Sequence, residues 1–343
     1  MTKKPRAKSA SKQKQELSGK ELSRFVTETF HKRGIEAFET AKKAVLEEAE
    51  KLESPTVKEA LRFFVTYWKD TTRPALLSIA CESLGGDPAA TTPVAVPLIL
   101  VCGAIDIHDD IIDQSKTKRN HLTLYGKFGK EIALLVGNAL LFKGFAMLCE
   151  DKTTIQPKQK EAIIKIIKNL FFELGDAEAL ELPLRGKKDL SPEEYLSLVR
   201  KKAADFEAYM RVSAVLADAS RQEIEALGEY GRILGMLVVL GDDNADVLDP
   251  AELVNRLENE VLPLPMLYAL QDSSLKKKLL PLLNKKDLTK KKAEAIAELL
   301  YKAGVFDVAG TDMQKLIAEG KEVLKPIRNS ELFMRILEST YPQ

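Results

Sequence analysis

The chain has 343 residues, 45% of them hydrophobic and 30% charged, with a formal net charge of +1. That composition is ordinary for a globular protein, long enough for one large domain or two small ones, and the near-zero charge gives no reason to expect nucleic acid as a partner. Three cysteines (Cys81, Cys102 and Cys149) form no CxxC pair, and three histidines form no HxxxH or HExxH pattern, which argues against a disulfide framework or a zinc site.

Residues 1–16 read as a basic disordered tail; the first 14 hold six basic residues and no acid. Residues 17–343 read as one helical domain, because apolar residues recur at helical spacing and do not alternate as in strands. Breaks are predicted at Ser54-Pro55, Gly85-Gly86-Asp87-Pro88, Thr92-Pro93, Asp151, Gly186, Ser191-Pro192, Asp249-Pro250 and Pro263. Ser191-Pro192-Glu193-Glu194 is a helix start, with Ser as cap, Pro at the first position and acids in the first turn. The longest apolar run, Pro93 to Ile107, is interrupted by Pro97 and leads into acids. No transmembrane segment or signal peptide is therefore expected, and a soluble, cytoplasmic protein follows by default. The fold class is all-α, a single-domain helical bundle with its site in a central cavity.

One pattern occurs twice, as Asp109-Asp110-Ile-Ile-Asp113 and as Asp242-Asp243-Asn-Ala-Asp246. On a helix, positions i, i+1 and i+4 share one face, so each motif presents three carboxylates together. Buried carboxylates are costly without cations. Two facing clusters of this kind suit Mg²⁺, a hard ion that takes a few carboxylates plus substrate phosphate oxygens. The motifs sit far apart in the chain, so the fold must bring them together.

With these motifs the chain resembles the trans-isoprenyl diphosphate synthases, the polyprenyl synthetase family. The resemblance runs from about Glu59 to the C terminus. Its landmarks are Leu76–Pro88, His108 to Asp113, the basic pair Lys118-Arg119, Tyr125 to Gly129, Gly137 to Leu141, Gly231 through Asp246, Leu264-Pro265 and Gly304-Val305. It implies an isoprenoid-synthase fold, a homodimer, and prenyl diphosphate substrates. Three Mg²⁺ ions, or Mn²⁺, would bridge the aspartate faces and an allylic diphosphate, whose ionisation gives an allylic cation that isopentenyl diphosphate attacks. By resemblance, Asp109, Asp110, Asp113, Asp242, Asp243 and Asp246 are metal ligands. Lys118 and Arg119 bind diphosphate, and Lys202 holds the allylic diphosphate. Asp109, Asp110, Asp113, Lys202 and Asp242 form the catalytic set. Ala104 and Ile105, one turn before the first motif, would floor the chain pocket and imply a product near C20.

The sequence also departs from the family. Its basic loop normally carries a Lys and an Arg; here Arg73 matches the Arg and Asp70 stands in the Lys position, with Lys69 adjacent. Cys102 stands where a His or Gln is usual. Those three positions hold isopentenyl diphosphate in the family, so an Asp among them is repulsive. Asp106 shares the helical face of Asp109, and Asp176, Glu178 and Glu181 occupy a region where the family carries a Gln and an Asp. Chain elongation is the leading expectation. The alternatives are a class I terpene synthase that needs no isopentenyl diphosphate, and a non-catalytic partner subunit.

Overall fold

The computed structural model describes residues 18–118, 121–150, 155–284 and 288–341. The basic segment 1–16 and Arg119 lie outside these residues. The first half comprises α1 (Gly19–Lys51), α2 (Pro55–Tyr67), α3 (Thr72–Ser83), α4 (Thr92–Ile112), a short hairpin of β1 (Thr117–Lys118) and β2 (His121–Leu122), α5 (Leu124–Glu150) and α6 (Pro157–Glu181). The second half comprises α7 (Pro192–Lys202), α8 (Ala204–Leu216), α9 (Arg221–Leu248), α10 (Pro250–Asn259) and α11 (Leu264–Gln271). It closes with α12 (Ser273–Leu279), α13 (Lys290–Lys302), α14 (Val305–Val323) and α15 (Glu331–Thr340). The protein is all-α apart from the hairpin, which the sequence did not signal.

The helix starts follow from local chemistry. Ser54 accepts the Val57 N–H at 3.4 Å and Pro55 takes the first helical position. Ser191 accepts the Glu194 N–H at 3.1 Å while Glu194 accepts the Ser191 N–H at 3.0 Å, a reciprocal capping box. Asp249 caps α10 through the N–H groups of Ala251 and Glu252. Pro97, which interrupts the apolar run in the sequence, does not end the helix, and α4 runs through it to Ile112.

Two large apolar clusters make most of the core, with a small third one at Leu170, Ala204 and Ala208. One gathers α1, α2, α4 and α5 around Phe38, Phe64, Trp68, Ile99 and Leu100. The other gathers α7 to α15 around Met210, Tyr230, Leu237 and Phe333. Helices α3 and α8 join them: Leu77 and Tyr209 belong to the first cluster, Leu76 and Met210 to the second. Helix α4 is the central helix of the first cluster and packs closely on α5. At Gly144 an added Cβ would lie 2.6 Å from the Pro97 carbonyl oxygen, so only glycine allows that approach.

By length and composition alone, Pro88–Ile112 and Leu124–Glu150 could each cross a membrane, whereas from the sequence, on the run at Pro93–Ile107, no transmembrane segment is expected. In the fold, 72% of the apolar window of the first is buried, so its apolarity serves the core; for the second the share is 33%. Helices α4 and α9 both end at an aspartate motif. The fold thus converts two distant repeats into two helix termini.

Candidate active site

The first motif occupies the last turn of α4, with Asp113 as its C-cap. A helix C terminus carries partial negative charge, so three acids there are unfavourable without cations. The structure supplies them from two other segments. Lys118 on β1 lies 2.7 Å from Asp110 and 3.4 Å from Asp109. Arg185, just after α6, donates to Asp113 at 2.6 Å and to the Ile112 carbonyl at 2.9 Å. Compensation is incomplete. Burial, together with the charge of Asp109, pushes Asp113 up to about 8, and burial pushes Asp110 up to about 6. Asp109 stays below the usual carboxylate range despite its burial, because Lys118 and Lys202 favour its charged form.

A carboxylate from α6 joins two acids of this motif. Ligand oxygens of Asp109, Asp113 and Glu178 all lie within 4.8 Å of one another. Lys202, at the end of α7, bonds Glu178 at 3.2 Å and Glu181 at 2.5 Å, so the predicted diphosphate-binding lysine borders the cluster. The donors are all carboxylate oxygens, which suit Mg²⁺ or Mn²⁺ rather than a soft metal. One oxygen, Glu178 Oε2, is buried without a hydrogen-bond partner, as a vacant ligand atom would be. These residues fit a hard divalent cation.

The second motif lies in the last turns of α9, and its three acids differ. Asp242 is exposed. Asp246 is half-buried and lies 3.4 Å from Arg256. Burial, with Asp242 and Asp243 beside it, pushes Asp246 up to about 6 against that cation. Asp243 departs from the ligand role expected of it. It is fully buried, and both oxygens are taken, by Arg256, by the Tyr195 hydroxyl at 2.7 Å and by the Leu264 N–H at 3.2 Å. Asp243 therefore ties α9 to α7, α10 and α11. Arg256 also reaches Glu260 at 3.2 Å, and Asn255 donates to Ser115 Oγ at 3.3 Å, which draws α10 toward the first motif. The acids of the second motif do not enter the cluster of Asp109, Asp113 and Glu178.

Deeper along α4, Arg73 is held by Asp70 at 3.1 Å and by Asp205 at 2.9 Å. Cys102 is buried and accepts a hydrogen bond from the Tyr209 hydroxyl at 3.1 Å; burial pushes its thiol up to about 12. Ala104 is fully buried in the first apolar cluster, and Ile105 packs against it half-buried. A cavity of about 450 Å³ opens at the opposite end of α4, beside Thr92, Pro93, Val96 and Met147, away from these acids.

The sequence profile of the polyprenyl synthetases matches residues 55–300, which contain both motifs and every basic residue just described. The chain belongs to the polyprenyl synthetase family. It is 28% identical to a geranylgeranyl diphosphate synthase of Methanosarcina mazei over 273 residues, 79% of this chain and 84% of that one. It is 27% identical to a short chain isoprenyl diphosphate synthase of Methanothermobacter thermautotrophicus, covering 85% and 91% of the two chains. The fold matches a geranylgeranyl pyrophosphate synthetase of Pyrococcus horikoshii with a TM-score of 0.77 at 24% identity, covering 92% and 97%. It also matches a polyprenyl synthase of Caulobacter crescentus, determined with calcium and isoprenyl diphosphate, with a TM-score of 0.79 at 19% identity and the same coverage. As a polyprenyl synthetase, the chain belongs among prenyltransferases.

Sequence reasoning did not assign Glu178, Arg185, Arg256 or Tyr195 to the site. Glu178 and Glu181, one turn apart on α6 in a region singled out for its acids, carried a signal; the two arginines and the tyrosine act through contacts distant in sequence. The different surroundings of Asp243 and Asp242 make a prediction. Asp243→Ala leaves the buried Tyr195 hydroxyl and Leu264 N–H without their acceptor and removes one of the three carboxylates on Arg256, lowering the unfolding free energy by about 3 kcal/mol. Asp242→Ala, at an exposed position, changes it by about 0.5 kcal/mol or less. Chemical denaturation of both variants checks this, and equal stabilities would contradict it.

Proposed function

We propose that the chain is a Mg²⁺-dependent polyprenyl diphosphate synthase of the geranylgeranyl type. It ionises an allylic prenyl diphosphate and condenses the cation with isopentenyl diphosphate. The observation that carries the reading is the convergence of Asp109, Asp113 and Glu178 beside Lys118, Arg185 and Lys202. The relatives named above are prenyl diphosphate synthases, which supports elongation; a terpene synthase or a non-catalytic subunit has no comparable support.

In this reading Asp109, Asp113 and Glu178 hold the metal on one side, with Asp110 behind them on Lys118. Asp242 and Asp246 hold it on the other, with Asp243 anchoring their helix. By resemblance three ions are bound, and their chemistry is to neutralise the leaving diphosphate. Lys118, Arg185 and Lys202 neutralise acids in the ligand-free protein. With those acids engaged in holding a metal, Lys118, Arg185 and Lys202 would be free to bind diphosphate oxygens, where charge-assisted contacts are strong. The allylic C–O bond then breaks with its electron pair on the diphosphate; the double bond of isopentenyl diphosphate supplies the electron pair of the new C–C bond at the cationic carbon, and the resulting cation loses a proton to the released diphosphate, restoring a double bond. The apolar helices around the site exclude water that would quench the cation.

A homodimer fits the surface. Leu135 and Phe142 on α5 and Phe172 on α6 are exposed, the two phenylalanines by 77% and 76%, and exposed large apolar side chains suit an interface with a second copy. Burial of α4 in the core is consistent with a soluble, cytoplasmic protein. With geranyl or farnesyl diphosphate and Mg²⁺, Asp109→Ala and Asp242→Ala should each abolish diphosphate release. Near-normal release in both variants would sink the metal assignment. Ala104→Phe should shorten the principal product, as read by chromatography of the dephosphorylated prenols; an unchanged chain length would remove Ala104 from the pocket floor.

A further inference from the structure

Among the described residues, four basic side chains serve the acid cluster or its surroundings. Lys118 and Arg185 pair with the first motif, Arg256 with the second, and Lys202 with Glu178 and Glu181. Arg73 pairs with neither motif, and it lies deeper, near Cys102 and Asp106 on α4. If the donor diphosphate is held at the metal cluster, as proposed above, a second diphosphate needs a separate cation within reach of the same allylic carbon. Arg73, which by resemblance matches the basic-loop Arg, is a cation not committed to either motif.

Arg73 is nevertheless already occupied. Its Nε and Nη2 donate to the same oxygen of Asp205 at 3.1 and 2.9 Å, and its Nη1 donates to Asp70 at 3.1 Å. The guanidinium also lies over the Phe206 ring, 5.6 Å from its centroid. Asp70 is nearly inaccessible, at 6% exposure, and its other oxygen accepts the Arg73 backbone N–H at 3.2 Å. Two carboxylates on one guanidinium leave a net negative group, and Asp106 adds a third acid to its surroundings. An incoming diphosphate meets repulsion rather than a vacant cation. The carboxylates and the diphosphate compete for the same N–H donors, and the carboxylates are already in place.

We propose that Asp70 and Asp205 set the affinity of the acceptor subsite by occupying Arg73, so that an acceptor diphosphate binds only by displacing one of them. This rests on the reading of the aspartate cluster as the donor site. It adds Asp205, 132 residues away on α8, as a residue that governs the acceptor while touching neither motif. The acceptor therefore binds more weakly than the donor, and the weakness resides in two removable charges.

The test measures isopentenyl diphosphate binding to the full chain by calorimetry with Mg²⁺, in the parent protein and in Asp205→Asn and Asp70→Asn. Asparagine keeps the shape of each side chain and, at position 70, an oxygen for the Arg73 N–H. Farnesyl thiolodiphosphate, which does not ionise readily, reports the donor site in the same samples. The expected result is about a tenfold tighter acceptor in each variant, with donor affinity unchanged. In turnover the KM for isopentenyl diphosphate falls while the KM for the donor stays, and adding Arg73→Gln to Asp205→Asn removes the gain. Unchanged or weaker acceptor binding in both variants, with donor binding intact, overturns the inference and leaves the proposed function standing. Failure of the parent chain to bind the thiolodiphosphate with Mg²⁺ overturns both.

Discussion

Acids crowded at the C-terminal ends of two helices are the constraint on which the rest of the site depends. Each motif adds negative charge where the helix dipole is already negative, and most of these acids are at least partly buried. Such a site forms only if other segments deliver cations to it. The β1 hairpin brings Lys118, the segment after α6 brings Arg185, α7 brings Lys202 and α10 brings Arg256. The connections around the motifs are therefore placed by electrostatics as much as by packing. Compensation remains partial, since Asp110, Asp113 and Asp246 keep raised pKa values even beside their partners.

That balance links stability to chemistry. Cations that merely buried these charges would compete with a metal; cations at the rim of the cluster can exchange an acid for a diphosphate and leave the site near neutrality. Lys118, Arg185 and Lys202 suit such an exchange, because each bonds an acid of the cluster or its immediate neighbour. Arg256 and Asp243 do not suit it. They are enclosed together with Tyr195, and their pairing fixes the end of α9 so that Asp242 and Asp246 are presented. The two motifs look alike in sequence, yet the first is surrounded by exchangeable cations and the second is built around a fixed one.

Much of this was legible in the sequence, for identifiable reasons. Helix starts at Pro55, Pro192 and Pro250 follow from residues within one turn of each break, and local signals of that kind survive without a fold. The acids themselves were legible because a repeated spacing is local too. Their partners were not. Arg185 meets Asp113 across 72 residues and Arg73 meets Asp205 across 132, and nothing near any of these positions announces the pairing. Helix α4 accommodates Pro97 for a related reason. Packing of α4 against α5 at Gly144 outweighs the loss of one helical hydrogen bond. The ligand role expected of Asp243 followed from motif symmetry, which cannot tell an exposed carboxylate from one enclosed by three donors.

The most direct test of the central claim is a crystal structure of the chain with Mn²⁺ and farnesyl thiolodiphosphate, with anomalous scattering used to place the metal. The account predicts metal peaks bridging the diphosphate to Asp109 and Asp113 and to Asp242, with Lys118, Arg185 and Lys202 turned from their carboxylates to diphosphate oxygens. A diphosphate bound without metal at these acids, or a cluster whose cations still hold Asp109, Asp110 and Asp113 while the ligand sits elsewhere, would contradict it.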